Sequence, residues 1–373
     1  KTKTVTYTYD KAGNRTTEDD GTTQTAYTYN GLDQLQTATK EKETTVNEVR
    51  QYSYDANGNQ TDVKNTKTGQ TESYTYDAEN HLSKVSVTDK DGKTAVIQQN
   101  RYNGDGQRIQ KVEGSKTTNY YYQDGVVSYT TDGDNIQTSQ NLIGTDGNIL
   151  ATQRYGSDHT DYLLYHKDIQ GSTTSLVKED GSVDATYQYT DFGQTTINGD
   201  NKAENEVCYT GGIYDQSTGL YYLNARYYNP EDGRFVTEDS YRGEVDDPDT
   251  GHLYGYCANN PVNYVDPSGH FAIAVPYLVK LVLAGGTVIY VYYSTWKWHS
   301  PKTRYSGRRI SHRTTIFKWI VARAIRHRIK KYAPHETNKT KANKEKHEKG
   351  DARRNRDQGG EKKKQKKGWK SRK

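Results

Sequence analysis

The 373-residue sequence contains no methionine, two cysteines (Cys208 and Cys257), seven prolines, and four residues each of phenylalanine and tryptophan. Two cysteines exclude a disulfide scaffold, and no C-x-x-C or H-E-x-x-H pattern is present to hold zinc. No glycine-rich loop follows a strand-like run, which excludes a nucleoside triphosphate site of that kind. Sparse cysteine suits an extracellular protein stabilised by repetition and equally a cytosolic one. A start at Lys1 without methionine predicts the C-terminal portion of a longer protein, so the lack of a visible signal peptide says nothing about export.

Apolar residues are also scarce. Only 31% of residues are hydrophobic and the mean hydropathy is -1.12, values that by themselves suggest disorder. The 34 tyrosines oppose that reading, because each can pack its ring while its hydroxyl finds a polar partner. With 33 glycines and so few prolines, the composition predicts many short strands joined by tight turns. The length allows two or three domains.

The net charge of +5 hides a division. Residues 299–373 carry 27 Lys+Arg against 6 Asp+Glu, a net +21, whereas residues 1–298 carry 25 against 41, a net −16. An acidic body ending in a basic segment predicts a polyanionic partner for that segment.

One unit recurs in the first third: "YTYDKAGN" (7–14), "YTYNGLDQL" (27–35), "YSYDANGN" (52–59), "YTYDAENHL" (74–82) and "RYNGDGQR" (101–108). The tyrosines Tyr9, Tyr29, Tyr54, Tyr76 and Tyr102 are 20, 25, 22 and 26 residues apart. Y-x-Y alternates at the period of a strand, and Asp/Asn followed by Gly-Asn tolerates positive φ in a turn. Each unit is therefore a hairpin that must stack on others to bury a face. Degenerate copies continue at 119–129, 163–183 and 187–194. In "GLYYLNARYYNPEDGRF" (219–235) aromatic pairs alternate with turns once more, which reads as packing rather than a site.

These repeats resemble the YD repeats of the Rhs/YD-repeat polymorphic toxin family. "GIYDQSTGLYYLNARYYNPEDGRFVTEDS" followed by "GYCANNPVNYVDPSG" (255–269) resembles the Rhs repeat-associated core, and the likeness is strongest to the wall-associated type of Gram-positive bacteria. The resemblance implies a mainly β fold: an incomplete β-strand spiral or shell, a core plug, and a small, mainly helical, basic toxin domain. It divides the chain into repeats (1–195), a core ending in Asp-Pro-Ser-Gly (196–269), a hydrophobic pre-toxin segment (270–298) and the toxin domain (299–373). Some relatives cut their own chain just after this element with paired aspartates. The matching residues are Asp239 and Asp266, with Arg234 nearby. This sequence departs from the pattern with Asp-Ser at 239–240 and with His270 in place of leucine. The plainer reading is that both aspartates cap turns.

Residues 271–293 form the one long apolar run, broken by Lys280, Pro276 and Gly285-Gly286. It is long enough to span a bilayer, but the lysine and the glycine pair weaken it as a permanent helix. It reads either as a buried element or as a transient contact with a target membrane. At 314–332, Ile316, Phe317, Ile320, Val321, Ala324, Ile325, Ile329 and Tyr332 recur at three- and four-residue intervals, a basic amphipathic helix. Its outer face offers Arg323, Arg326, Arg328, Lys330 and Lys331 to phosphate, and Lys362, Lys363 and Lys364 offer a second basic cluster.

The stretch 341–370 carries the candidate catalytic set His347, Glu348, Asp351, Arg353, Arg354, Asp357 and Glu361. Metal-independent RNA cleavage needs a base for the 2′-hydroxyl, an acid for the leaving oxygen and cations for the developing charge, and these residue types supply them. His312, His327 and His335 are reserves. The bland reading is a solvated lysine-rich tail. No cofactor is expected; His347, Glu348, Asp351 and Asp357 are the residues that Mg²⁺ would use.

The reading that joins these features is a secreted, cell-wall or cell-surface toxin whose C-terminal nuclease cleaves RNA in the cytoplasm of neighbouring cells. The resemblance narrows the substrate to tRNA and implies a cognate immunity protein, which would be acidic. It also implies contact with the producer's cell wall. Two alternatives remain: a wall adhesion or carbohydrate-binding protein, and a membrane-damaging toxin.

Overall fold

A computed structural model describes residues 4–293, apart from 44, 146, 200–203, 244–250, 271, 276 and 283–287. The expected toxin domain, its amphipathic stretch, every candidate nuclease residue from His347 to Glu361 and the basic residues of both phosphate-binding clusters lie outside the described residues.

Among the described residues, eighteen strands run from Thr6–Tyr9 to Thr195–Gly199, and each pairs antiparallel with the next. The last of them straddles the border expected at 195. The repeat unit explains the turns. The Asp10 carboxylate accepts the N–H groups of Ala12 (2.9 Å) and Asn14 (2.8 Å), and Asp55 and Asp77 do the same two and four residues on. Gly13 and Gly58 take the positive φ that the turn needs, and Asn80 takes it in the fourth unit.

The strand-end tyrosine completes the unit. The Tyr29 hydroxyl donates to the Arg15 carbonyl (2.8 Å), Tyr76 to Gln60 (2.8 Å), Tyr102 to Leu82 (2.7 Å), and Tyr189 to Thr173 (2.6 Å). In each case the acceptor is a residue just past an earlier turn. The hydroxyl thus satisfies a buried main-chain oxygen and binds successive hairpins together. The sheet curls until its first strand reaches its last turn: Tyr7 meets Phe192 edge-on at 5.2 Å and donates to Asp191 (3.3 Å).

A four-stranded sheet, Ile213–Asp215, Leu220–Leu223, Arg226–Asn229 and Arg234–Phe235, lies between the two halves of this curl. Strand alternation sends Tyr221, Leu223 and Tyr228 toward Leu163, Leu176 and Tyr187, and sends Leu220, Tyr222 and Tyr227 toward Tyr27, Tyr74 and Val85. A sheet buried on both faces is the plug the core motif predicted, and its tyrosines are packing.

Charges anchor it. Arg108, from the strand Arg108–Glu113, pairs with Asp215 of the plug, and Lys111 joins Asp215 (3.1 Å) to Glu206 (2.8 Å). Burial pushes Asp215 upward, but Arg108 and Lys111 outweigh it and hold the carboxyl down at about 2. Arg50 clamps the "NPEDG" turn through Glu231 (2.7 Å) and Asp232 (3.2 Å).

The apolar run takes a form different from a spanning helix. Tyr277–Val282 and Val288–Tyr293 are strands paired antiparallel, Val282 with Val288 and Tyr277 with Tyr293. The run Val-Ile-Tyr-Val-Tyr-Tyr is rich in β-branched and aromatic residues, which favour strand over helix. No helix among the described residues is long and apolar enough to cross a membrane.

Candidate functional site

The Asp-Pro-Ser-Gly segment is strapped to the tip of the plug. Ala225 N–H donates to the Ser268 carbonyl (3.2 Å) and Asn224 Nδ2 to the Pro267 carbonyl (3.0 Å). Gly269 has φ +76, and a Cβ there would sit 2.5 Å from the Leu223 oxygen, so only glycine fits. Asp266 organises the turn: its Oδ1 accepts from Ser268 N (3.2 Å), Ser268 Oγ (3.1 Å), Gly269 N (2.9 Å) and His270 N (3.2 Å). The capping role is therefore present, and it brings a carboxylate to the nitrogen of residue 270.

Asp239 and Arg226 complete the cluster from the plug side. Asp239 Oδ2 pairs with Arg226 Nη2 at 2.7 Å, and its Oδ1 accepts from His270 Nδ1 (2.8 Å) and Tyr241 N (2.9 Å). Arg226 Nε donates to the Gly269 carbonyl, and its Nη1 donates to the Leu253 carbonyl at 2.9 Å. The guanidinium lies 3.6 Å from the centre of the Phe235 ring. Burial pulls Arg226 down to about 10, and Asp239 and Asp266 offset this only in part.

The Gly269–His270 peptide group is thus held at both ends, its oxygen by a guanidinium and its nitrogen by a carboxylate. Arg226, Asp239, Ser268 and His270 border a cavity of about 770 Å³, also lined by Glu238 and Asn57. Such an arrangement can polarise a carbonyl and admit water to it.

Of the three residues expected here, the structure brings Asp239 and Asp266 to one histidine and places Arg234 elsewhere. Arg234 lies between the Tyr29 and Tyr254 rings (5.0 and 4.8 Å) and donates to the Asp33 carbonyl, so it fastens the plug to a repeat turn. Nearness in sequence misled, because five residues of extended chain cover roughly 16 Å. The arginine at the site, Arg226, stands inside the quoted aromatic stretch, and nothing in its local pattern separates it from Arg234.

Among the described residues, Asp77, Glu79 and His81 also bring ligand atoms within 4.8 Å of one another. Their polar atoms already serve a turn: Asp77 caps it and binds His81 Nδ1 at 3.2 Å.

Strand repeats curled around a doubly buried plug, closed by an Asp-Pro-Ser-Gly strap, define a YD-repeat shell with its core element. The chain belongs to the Teneurin YD-shell family, whose profile matches residues 1–262. It is 36% identical over 275 residues to the tRNA nuclease WapA of Bacillus subtilis (strain 168). It is 35% identical over 275 residues to the tRNA3(Ser)-specific nuclease WapA of Bacillus spizizenii. In both cases the match covers 72% of this chain and 11% of the relative, so the chain spans a small part of those proteins. Among solved structures, the TcdB2-TccC3-Cdc42 crystal structure matches with a TM-score of 0.43 at 19% identity, over 71% of this chain and 17% of that one.

Proposed function

We propose that the chain is part of a secreted, wall-associated toxin in which residues 299–373 are a nuclease that cleaves tRNA in neighbouring cells. The observation that carries this reading is the pairing of a YD shell, similar to two named tRNA nucleases, with a following segment of net charge +21. Phosphate binding driven by counterion release suits that charge. His347 acts as the general base or acid, with Glu348, Asp351, Asp357 and Glu361 as its carboxylate partners. Arg353 and Arg354 stabilise the phosphorane, while Arg323, Arg326, Arg328, Lys330, Lys331 and Lys362–Lys364 bind the backbone. An acidic immunity protein protects the producer, the shell contacts its wall, and residues 271–293 meet the target membrane during entry.

The test is incubation of the 373-residue chain with total tRNA, with Mg²⁺ and with a chelator. Fragmentation is expected in both conditions and is lost in His347→Ala. Intact tRNA in both conditions overturns the nuclease. Fragmentation that requires Mg²⁺ assigns His347, Glu348, Asp351 and Asp357 to a metal instead.

The plug geometry supports a second reaction, hydrolysis of the Gly269–His270 bond by the chain itself. Asp239 takes a proton from a water in the cavity, and the water oxygen bonds to the Gly269 carbonyl carbon. Arg226 Nε steadies the oxyanion. The proton that Asp239 has taken passes to the His270 nitrogen, which Asp266 holds in place, as the C–N bond breaks. The products are a Gly269 carboxylate and a His270 amine, with one water consumed. Fragments ending at Gly269, absent from Asp239→Asn, are the expected result; a whole chain throughout overturns it.

A further inference from the structure

The residue that follows the cleavage point is itself a ligand of the site. His270 Nδ1 sits 2.8 Å from Asp239 Oδ1, while its main-chain nitrogen, part of the bond to be broken, sits 3.2 Å from Asp266. We infer that His270 is a positioning residue that restrains self-cleavage by occupying the Asp239 oxygen that the attacking water needs. The inference rests on the self-cleavage reading above and adds its regulation.

A carboxylate oxygen already shared between donors binds an incoming water less readily than an open one. Asp239 Oδ2 faces the Arg226 guanidinium at 2.7 Å. Oδ1 accepts the Tyr241 N–H at 2.9 Å and meets the His270 imidazole Nδ1 at 2.8 Å. Oδ1 is thus tied to the residue whose nitrogen will leave, and a water that approaches Asp239 at that oxygen meets the imidazole.

The restraint has a geometric release. His270 belongs to the C-terminal product, and its side chain is about one-third exposed (32%) toward the cavity rather than locked in the core. A rotation about its χ1 would break the contact with Asp239 Oδ1, whereas Arg226 and Asp266 hold main-chain atoms of Gly269 and His270 that this rotation does not move. The site is therefore assembled in advance and waits on one side chain. Its partial exposure also means that an apolar residue at 270 leaves the plug intact.

The experiment follows fragment appearance in the full 373-residue chain by intact mass. It compares the parent with His270→Leu, His270→Asn, and each of these combined with Asp239→Asn. Leucine cannot donate to Asp239, whereas the asparagine amide nitrogen takes the place of Nδ1. His270→Leu should cleave faster by on the order of tenfold to a hundredfold, the effect of one charge-assisted hydrogen bond. His270→Asn should stay near the parental rate, and thermal melting should show all chains folded. Equal or slower cleavage in His270→Leu, or an asparagine chain as fast as the leucine chain, overturns the inference. If those rates coincide but Asp239→Asn abolishes cleavage, self-cleavage stands and only the restraint falls. Cleavage that persists in Asp239→Asn overturns the self-cleavage reading itself, and no cleavage in any chain overturns both.

Discussion

Arg108 and Arg226 are both buried arginines paired with an aspartate, and the molecule uses them in opposite ways. Arg108 lies over the Tyr120 and Tyr222 rings (5.0 and 4.7 Å), and its Nη1 is shared between Asp215 and the Tyr227 hydroxyl. Burial works most strongly against its charge, yet Asp215 together with Tyr227 and Tyr120 outweighs it, and the guanidinium is held well above its ordinary value. Arg226 directs two of its donors at main-chain carbonyls, Gly269 and Leu253, beside an open cavity, and its partners fail to offset burial. A guanidinium neutralised inside a closed network stabilises a fold. One aimed at a carbonyl beside a cavity has the placement that the proposed self-cleavage requires.

The comparison can be broken by exchanging stability for chemistry. Arg108→Ala leaves the buried Asp215 with Lys111 as its one remaining cationic partner and should lower unfolding stability in urea by about 3 kcal/mol. Arg226→Lys keeps a charge beside Asp239 but gives up the fork. It should unfold at a denaturant concentration much closer to the parent's, while cleavage in the His270→Leu chain falls by roughly 10² to 10³. If the two arginine variants lost equal stability, the division drawn here would be wrong.

Acid sharpens the contrast between enclosed groups. His252 joins the plug to the first repeat turn through Asn14 (Nε2 to Oδ1, 2.8 Å). Burial, followed by the Arg234 charge, pulls it down to about 4. A histidine depressed on folding contributes stability that is complete above its ordinary value of about 6.5 and is lost as pH falls through 4. Asp215, held at about 2, contributes stability that is complete above about pH 4 and is lost as pH falls through 2. Melting temperature should therefore fall in two separate windows. His252→Gln, which keeps a donor near Nε2, should remove the upper one only. A single transition unaffected by that substitution would contradict the assignment.

The smallest expected effect concerns the repeat itself. Tyr76→Phe removes the hydroxyl that donates to the Gln60 carbonyl and should cost about 1 to 2 kcal/mol in urea unfolding. No change at all would mean that the tyrosine hydroxyls do not bind hairpins together.

Much of the fold was legible because its causes are local. Period-two tyrosines, a capping aspartate and a glycine at positive φ lie within eight residues, so each hairpin declares itself. The Rhs-like core motif identified the plug and its strap. The apolar run 271–293 was harder, since strand and helix compete over a short apolar segment, and the structure shows a hairpin there. The candidate cleavage site was half legible. Asp239 and Asp266 meet at His270 as the motif suggests, whereas Arg226 and not Arg234 reaches the strap, because both arginines begin plug strands and only stacking decides which one arrives there.

The sequence by itself determined the repeating hairpins and the charge division at residue 299, because these follow from spacing and composition, and its resemblance to the Rhs core implied the place of the plug. Tertiary structure alone decided that the plug is buried on both faces, that Arg226 reaches the Gly269 carbonyl 43 residues away, and that His270 occupies Asp239 across 31 residues. Contacts at such separations are set by how the curled sheet seats the plug, and no local pattern carries that information.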